Sequence, residues 1–404
     1  MTSPDDAQPD DGTPDDGTPD AAEAEAAPAD APGLLTIARE WGRIGCVGFG
    51  GPPAHISLLR RLCVRDRRWL GAAEFEDGIA AANLLPGPAS TQLAIFCAWR
   101  LRGPAGAIVG GLCFIVPGLL LILALSVLFL SEDAPTWVRG AAAGAGAAVA
   151  AVAVHAAAEL IPASHERSRH RARWYAYLVI GALSAITIGP YLVLVLLVCG
   201  LAEVTLRRRS AGRARAVPLV MAAPAAAGGL GALAWVAFKV GALSYGGGFV
   251  IIPLMQSEAV DHYHWMTAGE FTTAVALGQI TPGPVVQTVS VVGYAAAGIG
   301  GGLLAALTAF APSFAFVLLG GPHFDRLRAS ATVQAFLDGA GPATIGAIGG
   351  SALTLAMALD HPWQAGVLAA ATVWLVLLRR GVVGTLLGAA ALGVAATLVG
   401  LSAT

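Results

Sequence analysis

The sequence predicts an all-α polytopic membrane protein of two homologous halves in inverted topology, with about 10 spans and two re-entrant Pro-Gly-Pro hairpins. Three observations carry this expectation. The chain is 56% hydrophobic and 12% charged, with a mean hydropathy of +0.69, whereas a soluble domain carries about 25% charged residues. It matches itself at an offset of 196 residues. Its arginine-rich loops fall on one side of a membrane only if the second half is turned over.

Residues 1–33 hold ten acids, no base and many prolines. Such a stretch cannot bury enough apolar surface to fold and reads as a disordered acidic tail. It has neither the basic start nor the apolar core of a signal peptide. The whole chain has a formal charge of −2, so the remainder carries +8. That surplus suits an anionic partner, and equally suits ordinary arginines in cytoplasmic loops.

From residue 34 the apolar runs begin. "GAIVGGLCFIVPGLLLILALSVLFL" exceeds the roughly 20 apolar residues that a spanning helix needs. The repeat defines the units: 34–206 is the first transporter-like repeat, 207–216 a basic cytoplasmic linker, and 217–404 the second repeat. At the 196-residue offset Trp69 meets Trp265, Glu74-Phe75 meets Glu270-Phe271, and Pro86-Gly87-Pro88 meets Pro282-Gly283-Pro284. Gly50-Gly51 meets Gly246-Gly247, Asn83 meets Gln279, Arg43 meets Lys239, and the register runs without a gap to Gly106 and Gly302. Internal repeats of this kind are a common transporter plan.

Orientation follows from arginine. "RRLCVRDRRW" (60–69) is strongly basic, while its mate "QSEAVDHYHW" (256–265) has no Lys or Arg. The same loop thus lies inside in one half and outside in the other. The basic loops at 165–173 and 207–215 join the inside set only if each Pro-Gly-Pro segment enters and leaves the membrane on one side. Each half then has five spans and one re-entrant hairpin.

Irregular backbone at membrane depth is tolerated where it is buried in protein or lines a wet cavity. Pro-Gly-Pro splits a segment into two short helices, because proline lacks an N–H and clashes with the preceding turn. "GFGGPP" (48–53) and "SYGGGF" (244–249) break the preceding span in the same way. Helix N-termini carry unpaired N–H groups and partial positive charge, so several aimed at one place would cradle an anion.

The candidate substrate-binding residues surround these breaks. They are the backbone positions Gly50, Gly51, Pro52, Pro86, Gly87, Pro88, Gly246, Gly247, Pro282, Gly283 and Pro284, with the neutral side chains of Asn83, Thr91, Gln92, Tyr245, Gln279, Thr281 and Gln287. The neutral groups suit oxyanion oxygens, or the backbone groups that proline frees. Two cations join them. Lys239 is the single lysine of the chain, and Arg43 is its mate; each sits seven residues before a Gly-Gly break. A cation in a spanning segment is a functional candidate, with snorkelling or an ion pair as the structural alternative. Glu74 and Glu270 precede the hairpins and fit either helix caps or carriers of a coupling proton. His55 is a further candidate without a matching residue in the other half.

Other chemistry finds no support. The five cysteines show no C-x-x-C pairing, the histidines form no ligand motif, and no G-x-x-x-x-G-K-[ST] loop occurs. No catalytic residues, metal site or cofactor are expected, and no nucleic-acid partner.

"GFGGPPAHISLL", "RRWLGAAEFEDGIAAANLLPGPASTQLAIF", "FKVGALSYGGGFVIIPLM" and "WMTAGEFTTAVALGQITPGPVVQTVSVVGY" together resemble the chromate ion transporter family in its long two-domain form, over about 34–404. The resemblance implies a multi-pass protein of the cytoplasmic membrane that exports chromate and confers chromate resistance. It places Gly50 to Pro52, Pro86 to Pro88 and Pro282 to Pro284 in the transport core. The sequence departs from a strict repeat at Pro117, whose mate Pro312 is one residue out of step. The partners expected are chromate or a similar oxyanion and the lipid bilayer, with a homodimer left open. Sulfate transport and an anion channel stay open as alternatives.

Overall fold

Glycine and proline punctuate the apolar runs, and the helices begin and end at them. The structure, a computed structural model, describes residues 31–84, 87–131, 133–168, 170–187, 192–210, 229–244, 251–320 and 330–400. The expected acidic tail lies outside them up to residue 30, as do Pro86, Tyr245, Gly246 and Gly247 and the linker beyond Ser210. Every regular element among the described residues is helical.

In the first half α1 (Leu34–Val47) stops at Gly48, and Gly50 and Gly51 take left-handed backbone (φ +99° and +72°). The chain turns there into α2 (Gly51–Arg60), which carries proline in its first turn and widens into a π-helical turn over Arg61–Asp66. Next come α3 (Ala72–Leu84), the Pro-Gly-Pro loop and α4 (Ala89–Phe129). The half closes with α5 (Thr136–Arg167), α6 (Arg171–Thr187) and α7 (Leu192–Ser210).

The second half repeats this plan. It holds α8 (Leu230–Leu243), α9 (Ile251–Gln256) with a π-helical turn over Ser257–His262, and α10 (Ala268–Ile280). After its Pro-Gly-Pro loop come a 3₁₀ turn (Val285–Gln287), α11 (Thr288–Gly320), α12 (Ala331–Met357), α13 (Pro362–Thr372), which widens at Val373–Leu377, and α14 (Val382–Leu398).

α4 is not one rod. Arg102 and Gly103 leave helical geometry, and Gly103 adopts φ +60°, ψ −150°. Gly106 and Gly110 then lie against Ala98, and Gly111 against Ile95, so the two arms fold onto each other. In α11 the same bend falls at Ala297 and Gly298 (φ +62°, ψ −157°), and Gly301 lies against Gly293. The arm that follows each Pro-Gly-Pro also packs back on the helix before it, as Gly78 against Leu93 and Phe96 shows in the first half.

Among the described residues four segments are long and apolar enough to cross a membrane: Ala89–Phe129, Thr136–Arg167, Val285–Gly320 and Ala331–Met357. The others are shorter. The 14 residues of α1 or α8 reach about 21 Å, against a hydrocarbon core of about 30 Å.

The bends correct the register of the repeat. They lie 195 residues apart (Gly103 and Gly298), whereas the loop glycines Gly87 and Gly283 lie 196 apart. The 3₁₀ turn is the cause. Three 3₁₀ residues rise about as far as four α-helical ones, about 6 Å, so Val285–Gln287 covers the axial distance of Ala89–Gln92 with one residue fewer. Beyond the loops Gln92 therefore corresponds to Gln287, Gly106 to Gly301 rather than Gly302, and Pro117 to Pro312 in step.

Small residues set the helix spacing, as expected where helices associate without a hydrophobic driving force. Gly45 of α1 meets the Phe114 carbonyl of α4, and its counterpart Gly241 of α8 meets the Ala309 carbonyl of α11. The halves are also interlocked. The Gly/Ala-rich α5 packs on α13 and α14 of the second half, and α12 packs on α6 and α7 of the first. At these seams Gly144 meets the Ala389 carbonyl, and Gly181 and Gly346 meet the carbonyls of Ala343 and Leu178.

Candidate functional site

The two loops meet by exchanging hydrogen bonds. The Gly283 N–H donates to the Gly48 carbonyl at 3.0 Å, and the Gly87 N–H donates to the Ser244 carbonyl at 3.0 Å. Gly48 and Ser244 are equivalent positions, and both end their helices with nearly the same backbone (φ −77°, ψ 75° and φ −69°, ψ 85°). Each half thus places its loop glycine on the broken helix of the other. Both donors need positive φ, +128° at Gly87 and +107° at Gly283, a region that glycine enters without steric cost.

Prolines open the helices that leave this crossing. Pro88 and Pro284 are extended, and neither gives a side-chain cap to α4 or to the 3₁₀ turn that leads into α11. The first N–H groups of these helices are left to other partners. Around them the protein buries neutral polar atoms. Thr91 Oγ1, Ser244 Oγ, Gln279 Nε2, Gln287 Oε1 and Ser313 Oγ have no hydrogen-bond partner among the described residues. Buried polar groups are normally satisfied, so an orphaned set marks a place where water or a ligand would sit.

Contacts fix several of these groups at the loops. Ser313 and the Gln92 amide lie against Gly87; Gln287 lies against Gly283 and Gly118, where it donates from Nε2 to the Ile115 carbonyl at 2.8 Å. Gly118 lies against the Pro282 carbonyl, and Gly51 faces Val285. Gly50 and Pro52 form the turn into α2 just behind. Thr281 donates its hydroxyl to its own helix at Leu277. Asn83 lies in the last turn of α3, and its side chain is outside what the structure describes, as are Pro86, Tyr245, Gly246 and Gly247. Ser244 and Ser313 escaped the sequence reading. Ser244 directly precedes the second Gly-rich break and Ser313 follows Pro312, so nearness to a break was the usable signal.

The charged candidates take protein partners. Lys239 is ion-paired with Glu258, both side chains largely buried (19% and 8% exposed), and its ammonium lies 5.9 Å from the Trp235 ring centroid. Arg43 is 77% exposed and lies 3.8 Å from Glu40, which Arg67 also holds at 3.0 Å. Glu270 closes a capping box with Thr267 at the start of α10. Glu74 is ion-paired with Arg100. The charged candidates thus engage protein groups, within one helix at Arg43 and Glu270 and between elements at Lys239 and Glu74, and the orphaned groups at the crossing are neutral.

A cavity of about 530 Å³ leads to one loop. Gly87 and Ala89 form part of its floor, α5 and α12 its walls, and Arg167 and Asp338 stand among its lining. Arg207 binds Asp338 at 2.6 Å and Glu203 at 2.8 Å, and Arg173 approaches Glu203 at 3.4 Å. The loop Thr281–Pro284 of the second half is buried throughout. Gly87 and Pro88 of the first loop are buried as well, and the two loops are equivalent in backbone.

Comparison with known proteins follows the same division. The chromate transporter family matches residues 35–204 and again 231–394, with starts 196 residues apart. The chain is 35% identical over 328 residues to a chromate transport protein of Cupriavidus metallidurans, covering 78% of this chain and 80% of that protein. It is 31% identical over 344 residues to one of Pseudomonas aeruginosa (78% and 79%), and 29% identical over 336 residues to a probable chromate transport protein of Synechococcus elongatus (80% and 84%). No solved structure matches the chain.

Proposed function

Since this chain belongs to the chromate transporter family, we propose that it is a secondary transporter that exports chromate across the cytoplasmic membrane and so confers chromate resistance. Chromate is a tetrahedral dianion. The reading places it at the crossing, against the first turns of α4 and α11 and the side chains of Thr91, Gln92, Ser244, Gln287 and Ser313. The observation that carries this is the set of buried neutral donors Thr91 Oγ1, Ser244 Oγ, Gln279 Nε2 and Ser313 Oγ, without a partner among the described residues, near two uncapped helix starts. Neutral donors and helix N-termini stabilise negative charge without a fixed counter-ion to release.

The two halves, 34–206 and 217–404 with the basic linker 207–216 between them, are read as inverted repeats. The long arms of α4 and α11 support this: Gly111 lies against Phe314 and Gly302 against Leu123, so the arms run antiparallel where they touch. A two-fold axis in the membrane plane relates such arms. The short paired arms around each Pro-Gly-Pro support re-entrant hairpins, because arms of this length turn back within the bilayer. Access is proposed to alternate between the two loops. The cavity at Gly87 faces the arginine-rich loop at 165–173 and is read as cytoplasmic; rocking of the halves would close it and open the equivalent path to Gly283.

The absence of a nucleotide-binding loop in the sequence leaves ion gradients or membrane potential as the driving force. Neutral donors hold sulfate as readily as chromate, which keeps a sulfate-type oxyanion transporter as the second reading. The test is chromate accumulation in cells expressing the protein against an empty-vector control, with and without excess sulfate. Lower accumulation that sulfate leaves unchanged is expected. Higher accumulation blocked by sulfate would reverse the direction and the selectivity.

A further inference from the structure

We infer that His55 is a proton-binding site linked to oxyanion occupancy of the crossing, an inference that rests on the site proposed above. His55 is fully buried in α2 (0% exposed). Its Nε2 lies 2.9 Å from the Gly48 carbonyl, the same oxygen that accepts the Gly283 N–H. A carbonyl can only accept, so Nε2 carries the proton and Nδ1 is a bare lone pair. That Nδ1 is buried and has no partner among the described residues. The ring stands edge-on to Phe114, with centroids 5.0 Å apart.

This arrangement is one-sided. The equivalent of Gly48 is Ser244, whose carbonyl accepts the Gly87 N–H, while the residue equivalent to His55 is the buried Ile251. The pseudo-symmetric crossing therefore contains one imidazole and no counterpart. Structural need does not require it, since Ser244 ends α8 with nearly the same backbone as Gly48 and accepts the loop N–H with an isoleucine at the equivalent of His55.

The elements packed on α2 bring other titratable groups, and each is engaged elsewhere or out of contact with His55 among the described residues. On α1, Glu40 holds Arg43 and Arg67. In the following turn Arg61 holds Asp66. On α4, Arg100 holds Glu74, and Arg102 donates to the carbonyls of Pro32 and Ala31. Arg39, Arg60, Arg65 and the thiols of Cys46, Cys63, Cys97 and Cys113 make no hydrogen bond or ion pair with the imidazole.

Protonation of Nδ1 leaves the Gly48 hydrogen bond intact and adds one positive charge beside the loop that holds the anion. Binding of a dianion then favours the imidazolium, and the imidazolium favours the dianion by the same factor, because linkage is reciprocal. The proton comes from solvent and returns to it when the anion leaves.

The test is chromate binding and proton uptake by the purified full-length protein over a pH series, for wild type and His55→Gln. Glutamine can still donate an amide N–H to Gly48 but cannot titrate in this range. Wild type is expected to bind chromate up to about tenfold tighter per pH unit of acidification within the linked window, with uptake of one proton more than His55→Gln. The difference between the proteins cancels the oxyanion's own protonation. Should His55→Gln fail to fold, His55→Asn serves, with histidine ¹⁵N spectra of wild type titrated with and without chromate. Identical pH profiles for wild type and a folded variant, or histidine shifts indifferent to chromate, would overturn the role of His55 while leaving the crossing. No chromate binding by wild type at any pH would overturn the crossing and this inference together.

Discussion

The Lys239 ammonium and the Glu258 carboxylate form an ion pair between α8 and the π-helical turn over Ser257–His262. Their equivalents in the first half are Arg43, which is exposed, and Leu62, which is apolar. The pair belongs to the second half alone and closes on itself.

Lys239→Met therefore strands a buried carboxylate, a change that costs about 3–5 kcal/mol in comparable buried pairs. Loss of folded protein from the membrane fraction is expected, and Glu258→Leu added to Lys239→Met restores it. Western quantification of the single and double variants checks this. A double variant that folds but carries no chromate would return Lys239 to the transport path.

Gly87→Ala and Gly283→Ala force a Cβ onto backbone at φ +128° and +107°, a strain of about 1–3 kcal/mol, and at Gly87 the added atom also meets the Gln92 amide. Both variants reach the membrane and lose most chromate transport. Accumulation assays normalised to membrane protein read the effect, and wild-type transport by both would remove the hydrogen-bond exchange from the mechanism.

Gly45→Val and Gly241→Val drive a side chain into the Phe114 and Ala309 carbonyls. Such overpacking costs about 1–3 kcal/mol or more, so the protein should elute aggregated or fail to accumulate. Gly349→Ala, which has nothing within 4 Å of the added atom, should behave as wild type in the same fluorescence size-exclusion profile.

Ser164→Cys, in a background without the five native cysteines, places a thiol on the cavity wall. A membrane-impermeant thiol reagent should modify it from the cytoplasmic side only, and chromate should slow the reaction. Labelling from the outside alone would invert the assigned orientation.

Glu270→Gln keeps a residue type that closes capping boxes, so transport within about twofold of wild type is expected if Glu270 acts as the cap that the structure shows. Abolished transport with normal expression would make Glu270 a proton carrier instead.

The membrane character, the repeat and the positions of the breaks were legible in the sequence, because each rests on local chemistry: apolar run length, the steric rules of proline and glycine, and matched residues at a fixed spacing. The loop glycines were legible for the same reason. The register beyond the loops was not. Val285–Gln287 winds as a 3₁₀ turn, and only its tighter rise shows that Gln92 answers Gln287 and Pro117 answers Pro312.

Partnership also escaped the sequence. A lone lysine in an apolar run reads as a ligand for an anion or as half of an ion pair, and nothing in the sequence names Glu258, 19 residues on, as the partner. Ser313 reads as an ordinary helix serine until the fold brings it against Gly87 in the other half. Residue types and spacings along the chain determined that two Pro-Gly-Pro loops interrupt the helices. Which helix end each loop glycine reaches, and the interlock of α5 with α14 and of α12 with α7, depend on contacts between residues far apart in the chain. Small residues that let two backbones touch specify closeness and not the partner, so only the tertiary structure could decide that the loop glycine of each half bonds a helix end of the other.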